Sequence, residues 1–115
     1  MTKWTKSHRI QKRWQFQQVQ QRGSKQRASC FLALYLPGST SQSRIGITVS
    51  KKVGNAVMRN QVKRWIRESS RIEYATLKGI WDVVIIAYPT AAQSDFMQLK
   101  TSIRSLFIFL SKKSQ

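Results

Sequence analysis

The chain has 115 residues, 41% of them hydrophobic, and its 21 Lys and Arg against 4 Asp and Glu give a formal net charge of +17. This length and apolar content exclude a disordered protein and predict one domain over residues 1–115, with flexible tails at 1–6 and 112–115. Such a charge indicates a polyanionic partner, nucleic acid first and an anionic membrane second, because solubility alone requires far less.

The first predicted element is a helix over residues 7–21, which a serine can cap and a following glycine can end. Its large apolar side chains do not form one stripe. Ile10 and Trp14 share one side through i,i+4 spacing, whereas Phe16 and Val19 share another through i,i+3 spacing. We therefore expect this helix to cover both a core and a second surface, which would form a groove.

Two strands are predicted next, with a further short edge strand near residues 25–28. Residues 30–36 are apolar throughout and predict an interior strand, and the turn-rich residues 37–43 lead to an antiparallel partner. In that partner Ile45, Ile47 and Val49 face one way, and the small residues Gly46, Thr48 and Ser50 face the other. The small side chains would leave room for a ligand.

The last two elements are predicted to belong to the core. Residues 80–88 form another apolar run that Pro89 ends, which indicates a buried strand. Ser94 and Asp95 can open a final helix. Its core positions are Phe96, Leu99, Ile103, Leu106, Phe107 and Leu110. The predicted fold class is α+β, with helices packed on a small mixed sheet, and the general rule favours a right-handed strand–helix–strand crossover.

The segment between these strands carries the chemistry. Lys51 and Lys52 precede Gly54 in a turn that ends at a helix N-terminus, where backbone N–H groups favour a phosphate. At about 100° per residue, one side of the helix is cationic and the other apolar. The first side holds Arg59, Asn60, Lys63, Arg64, Arg67 and Arg71, and the second holds Met58, Val62, Trp65, Ile66 and Ile72. This pattern predicts a face that binds RNA.

No catalytic residue and no metal site are predicted. The carboxylates are scattered along the chain, at Glu68, Glu73, Asp82 and Asp95. His8 has no second histidine, so we expect it to be solvated or to contact a phosphate. Cys30 lies in a predicted interior strand, and a single cysteine excludes an internal disulfide, which suits a reducing cytoplasm. We find neither a membrane span nor a secretory signal, so a cytoplasmic protein is expected.

Residues 50–67 read Ser-Lys-Lys-Val-Gly-Asn-Ala-Val-Met-Arg-Asn-Gln-Val-Lys-Arg-Trp-Ile-Arg. This stretch resembles the signature of the protein subunit of bacterial ribonuclease P, and residues 14–19 and 82–87 resemble that family's first helix and last strand. The resemblance implies an α-β-β-β-α-β-α fold, shared with one domain of a ribosomal protein, with a left-handed crossover. It replaces the general right-handed expectation.

The resemblance also implies partners and a division of labour. The catalytic ribonuclease P RNA would remove the 5′ leader of precursor tRNA in an Mg²⁺-dependent hydrolysis. The protein would bind that RNA and the single-stranded leader. It would hold no cofactor of its own and need no membrane and no obligate protein partner.

The family's residue roles carry over to matching positions. The helix would offer the RNA Arg59, Asn60, Lys63, Arg64 and Arg67, and geometry adds Lys51, Lys52 and Arg71. The leader cleft maps onto Phe16, Thr48, Lys52, Ala56, Arg59 and Asn60. The chain departs from the family pattern at Gln20, Leu34 and Gln61.

The main alternative is a structural RNA-binding protein of ribosomal type that has no catalytic partner, since it would share the size, charge and basic helix. A helix-turn-helix DNA-binding protein fits less well, because no second helix with turn spacing precedes the basic one. A membrane-active peptide also fits less well, because patterns of a folded core flank the basic helix on both sides.

Overall fold

The computed structural model describes residues 4–114, and its elements follow the predicted α-β-β-β-α-β-α order. The helices are α1 (Arg13–Arg22), α2 (Ala56–Glu73) and α3 (Phe96–Lys113). The strands are β1 (Ser24–Arg27), β2 (Phe31–Pro37), β3 (Arg44–Thr48) and β4 (Trp81–Ala87). The α+β fold class is confirmed, as is the short edge strand.

The four strands form one mixed sheet in the order β1-β2-β4-β3. β2 is antiparallel to both β1 and β4, and β3 is parallel to β4. The predicted antiparallel pairing of residues 30–36 with residues 45–50 is therefore wrong. β4 lies between those two strands because it is apolar on both faces, whereas β3 has one small, polar face and can stay at the edge. The left hand of the β3-α2-β4 crossover remains a prediction from the resemblance.

The link from β2 to β3 passes the beginning of β4 and is bonded to it. The N–H of Gly38 donates to the carbonyl of Ile80 at 2.8 Å. The N–H of Trp81 donates to Oγ of Ser43 at 2.8 Å, and that hydroxyl lies 3.2 Å from the carbonyl of Gly79. These hydrogen bonds hold the link between β2 and β3 against the start of β4, which is the strand that lies between them.

The sheet is covered on both faces. Helices α2 and α3 pack on one face, over a core that includes Val83, Ile85, Ile103 and Phe107. Helix α1 packs on the other face, over Leu34 and Val84 with Val19 and Ile10. β3 therefore presents its isoleucines to α2 and its glycine to α1, as the alternation predicted.

The first helix begins six residues later than predicted. Before it, Lys6–His8 form a 3-10 turn. The next two residues run along the edge of β3, where Arg9 pairs with Ile45 and the N–H of Ile10 donates to the Ile45 carbonyl at 3.0 Å. The side chain of Gln15 then accepts from the N–H of Lys12 at 3.1 Å at the helix start. Tertiary pairing thus overrides the local capping signal, and Ile10 does not share a helix face with Trp14.

Helices α2 and α3 begin at capping side chains. Oδ1 of Asp95 accepts from the N–H of Gln98 at 2.8 Å, which confirms the predicted start of α3.

Two other predictions need correction. Ile72, which was predicted to lie on the apolar side of α2, is 42% exposed and so does not belong to the core. Of the predicted tails, residues 1–3 and 115 lie outside the described part, whereas Trp4 packs on the core and α3 continues to its last lysine.

Candidate RNA interface

The cationic residues of α2 become more exposed along the helix, from the border of its buried face toward solvent. Each four-residue step in an α-helix rotates about 40° beyond one full turn. Arg59 and Lys63 are accordingly half-buried, whereas Arg67 and Arg71 are exposed. The other predicted residues of this side are exposed as well, namely Asn60 and Arg64. We call these six residues the cationic face, and all of them are accessible to a partner.

The turn before α2 brings two more cations to the start of that helix. Lys51–Val53 forms a short 3-10 turn in which both lysines are exposed. Gly54 follows with a φ of 155°, in a region that side chains disfavour. Oδ1 of Asn55 then accepts from the N–H of Met58 at 2.9 Å. The glycine and the cap together explain why the chain can enter the helix immediately after the two lysines.

Arg71 differs from the rest of the cationic face because its guanidinium is already paired. Its Nε donates to Oε2 of Glu68 at 3.2 Å, and its Nη2 donates to the other oxygen of the same carboxylate. These hydrogen bonds lower the pKa of Glu68, so the carboxylate stays ionised and keeps the pair intact at neutral pH. Since both groups are exposed, the pair adds little stability, but Arg71 offers a phosphate less net charge than its neighbours do.

Replacing Glu68 with glutamine is expected to strengthen RNA binding severalfold and to steepen its salt dependence by about one counterion, because Arg71 is released to a phosphate. Filter binding across a salt series measures both quantities. Asp95→Asn is the matched control: it removes one negative charge outside α2 and keeps a capping side chain on α3. Equal gains in the two variants would show that only net charge matters.

The predicted groove lies where α1 meets the edge strand β3. A Cβ atom on Gly46 would lie 2.7 Å from Cε1 of Phe16, so the ring rests directly on the strand backbone. A pocket of about 140 Å³ opens beside the ring. Arg9, Ile47 and Arg67 are among the residues that line it. The pocket thus joins the aromatic ring of α1 to the cationic face of α2 across the edge of the sheet.

The six residues predicted for the leader cleft are only partly gathered there. Phe16 lines the pocket, whereas Thr48 is half-buried at the end of β3. The other four lie in the turn and at the start of α2: Lys52, Ala56, Arg59 and Asn60. Arg9 and Gln11 were not predicted from the sequence, yet both line the pocket because the N-terminal segment pairs with β3. In the sequence, Arg9 next to Ile10 indicates a positive charge at this position, but nothing there indicates that the segment pairs with β3.

The three departures from the family pattern have different surroundings. Leu34 is 4% exposed and packs under α1 with Val19 and Val84, so it contributes to the core. Gln20 and Gln61 are exposed polar side chains. The neighbouring Tyr35 belongs to the core on the opposite face of the sheet, because successive side chains of a strand point to opposite faces.

Each of the four carboxylates has a structural partner. Asp82 is bound by Arg44, Glu73 lies 3.8 Å from Arg104, Glu68 is bound by Arg71, and Asp95 caps α3. Glu68 and Glu73 share α2, Asp82 lies on β4 and Asp95 caps α3, and each carboxylate is held by a different partner. Within residues 4–114, His, Cys, Asp and Glu side chains form no group of three that could hold a metal ion. None of the described helices is both long and apolar enough to cross a membrane.

The two other groups considered for catalysis are buried. His8 is 5% exposed and stacks on Trp4 with ring centroids 5.4 Å apart. Its Nδ1 accepts from the N–H of Thr5 at 2.9 Å. The expectation of a solvated or phosphate-contacting histidine is therefore wrong, because an aromatic cluster with Tyr74 encloses it. Cys30 is buried as predicted, and burial raises the pKa of its thiol, which leaves little reactive thiolate.

Comparison with known sequences gives consistent matches over nearly the whole chain. A family profile described as Ribonuclease P matches residues 4–110. The ribonuclease P protein component of Desulfatibacillum aliphaticivorans is 38% identical over 112 residues, which cover 97% of this chain and 95% of that protein. The ribonuclease P protein component of Exiguobacterium sibiricum is 40% identical over 103 residues, with 89% of each chain covered.

Solved structures agree with the sequence matches. The ribonuclease P protein of Staphylococcus aureus superimposes with a TM-score of 0.81 at 30% identity, covering 96% of this chain and 100% of that one. The ribonuclease P protein of Thermotoga maritima superimposes with a TM-score of 0.80 at 27% identity, covering 88% of this chain and 96% of that one. On these matches in sequence and fold, the chain belongs to the family of bacterial ribonuclease P protein components.

Proposed function

We propose that this protein binds the catalytic RNA of ribonuclease P and the single-stranded 5′ leader of precursor tRNA, and thereby assists removal of the leader. Membership of the family implies association with a ribonuclease P RNA. The finer roles rest on this chain's own surface. The cationic face would contact the catalytic RNA, and the pocket beside Phe16 would take leader nucleotides.

The observation that carries the proposal is the junction of the two surfaces at the edge of β3. Arg67 belongs to the cationic face and also lines the pocket with Phe16. One continuous surface can therefore hold phosphates on one side and stack a base on the other. Because an aromatic ring stacks on any base, sequence preference for the leader should be loose.

Two guanidinium groups on this surface each have a buried N–H donor without an acceptor, and a phosphate could provide that acceptor. Among the described residues, Nε of Arg59 and Nε of Arg9 are buried atoms without a hydrogen-bond acceptor. Buried donors are normally satisfied, so an acceptor from outside the chain is expected. A phosphate oxygen suits a guanidinium, because the bond is charge-assisted and can be bidentate.

In this proposal the protein supplies binding and orientation, and the RNA supplies the chemistry. The four carboxylates are engaged separately by partners within the chain, so they are poorly placed to hold catalytic Mg²⁺ together. The Mg²⁺ ions of the reaction would accordingly be held by the RNA. The expected site of action is the cytoplasm, where precursor tRNA is processed.

Reconstitution with a bacterial ribonuclease P RNA tests the proposed function. At low millimolar Mg²⁺, adding the chain is expected to accelerate cleavage of precursor tRNA and to lower its Kd relative to mature tRNA. Tight RNA binding with unchanged leader removal would instead favour a structural protein of ribosomal type. Cleavage by the protein without the RNA would contradict the proposed division of labour.

Phe16→Ala is expected to weaken binding of precursor tRNA to the reconstituted enzyme by about 1–3 kcal/mol, the usual effect of losing one stacked base. Binding of mature tRNA, which has no leader, should not change. Competition binding with the two substrates measures both values. Phe16→Leu is the control for folding, because it keeps apolar contact with the core under α1 but cannot stack. Equal loss on both substrates would contradict a role in leader binding.

A further inference from the structure

The outer side of α1 carries an aromatic residue that the fold does not use. Trp14 is 58% exposed, although tryptophan is usually largely buried. It lines a shallow surface groove with Gln17, Gln18, Gln21 and Arg22, all of which are exposed. Spacings of three, four and seven residues place Trp14 and the three glutamines on one side of the helix. We call this set the outer face of α1.

The outer face is separate from the pocket beside Phe16. Two residues of an α-helix correspond to a rotation of about 200°, so Trp14 and Phe16 point away from each other. Val19, which is 2% exposed, and Phe16 attach α1 to the sheet. The outer face therefore contributes nothing to the core described above.

The charge around the outer face is of one sign. Residues 4–28 contain no Asp or Glu. Their cations are Lys6, Arg9, Lys12, Arg13, Arg22, Lys25 and Arg27. A second copy of this chain would meet like charge here, whereas an anionic partner would be attracted. An exposed indole beside neutral amides and cations is suited to single-stranded RNA, since it offers stacking, base-edge hydrogen bonds and phosphate contacts.

We propose that the outer face of α1 is a second site for single-stranded RNA, which binds leader nucleotides beyond those held beside Phe16. This inference rests on the proposed function. A helix with its side chains is about 10–12 Å across, so a leader must extend several nucleotides past the pocket before it reaches Trp14. A base stacks on the indole, a glutamine amide bonds to a base edge, and Arg22 contacts a phosphate. The site thus acts on long leaders only.

The test measures the affinity of the reconstituted enzyme for precursor tRNA with a short leader and with a long leader. Trp14→Leu is expected to weaken binding of the long-leader precursor about tenfold and to leave the short-leader precursor unchanged. Trp14→Phe, which keeps a flat ring, should restore most of the affinity. Met97→Ala is the matched control, because Met97 on α3 is 61% exposed and belongs to none of these surfaces.

Three results would overturn the inference. The first is unchanged affinity of Trp14→Leu for both leaders. The second is equal loss for short and long leaders or for mature tRNA, which would assign the outer face to the catalytic RNA. The third is an altered oligomeric state of Trp14→Leu in sedimentation, which would assign it to a second copy. Failure of the proposed function would be distinct, because the wild type would then not prefer a short-leader precursor to mature tRNA.

Discussion

Replacing Arg59, Lys63 and Arg67 together with alanine is expected to weaken binding to the catalytic RNA roughly a hundredfold at physiological salt. Each lost phosphate contact removes about 0.9 from the slope of log K against log salt concentration, so the slope should fall by about 2–3. The effect is large because these side chains lie on one side of α2 and, within residues 4–114, none of them has a carboxylate partner such as that of Arg71. Filter binding or calorimetry at several salt concentrations measures it.

The control for this variant removes the same charge elsewhere. Lys78, Lys100 and Lys112 lie in the loop before β4 and on α3, and none of them belongs to the cationic face. Their triple alanine variant should lower the slope far less, since long-range attraction between charges is screened within about 8–10 Å. An unchanged slope in the first variant, or equal slopes in both, would refute the cationic face as the RNA contact.

Asp82→Ala is expected to destabilise the fold by about 3–5 kcal/mol, because it leaves a largely buried guanidinium without its counter-charge. Arg44 donates from Nε to Oδ1 of Asp82 at 3.0 Å and from Nη2 to Oδ2 at 2.8 Å. The side chains are only 13% and 9% exposed, and the hydrogen bond that Arg44 donates to Asp82 raises the pKa of Arg44. Urea unfolding followed by circular dichroism gives the free energy of unfolding.

A double variant separates the loss of the pair from the loss of packing. Arg44→Met with Asp82→Leu replaces both charges by apolar groups and should be much less destabilising than Asp82→Ala alone. Since these residues face each other across β3 and β4, the pair also fixes the register at the start of both strands. A destabilisation by Asp82→Ala below about 1 kcal/mol would show that the pair behaves like an exposed one.

The parts of the fold that follow from local pattern could be predicted from the sequence. The continuous apolar run of β4 and the heptad-like spacing of α3 each identify a buried element, because burial on that scale leaves few polar positions. The cationic face of α2 follows from helical geometry in the same way. By contrast, β2 pairs with β4 and not with β3, because β4 is apolar on both faces. The residues next to β2 in sequence give no information about which of these two distant strands it will pair with.

The candidate site was predictable in its residue types and less so in its geometry. Residues 9 and 10 carry a helix-like pattern, yet they extend along β3 because the edge strand offers unpaired backbone groups. That pairing places Arg9 in the pocket that Phe16 also lines, and no rule based on sequence spacing predicts this arrangement. His8 is buried between Trp4 and Tyr74, and the second of these neighbours is distant in sequence.

The contact between Phe16 and Gly46 bears on the thermodynamics of recognition. A ring seated on bare backbone has few rotamers left, so it loses its torsional freedom when the protein folds and not when a nucleotide arrives. An immobilised side chain otherwise costs about 0.5–1.5 kcal/mol on association. The stacking surface is therefore preorganised, and any side chain at position 46, even a methyl group, would displace the ring and reintroduce that entropic cost.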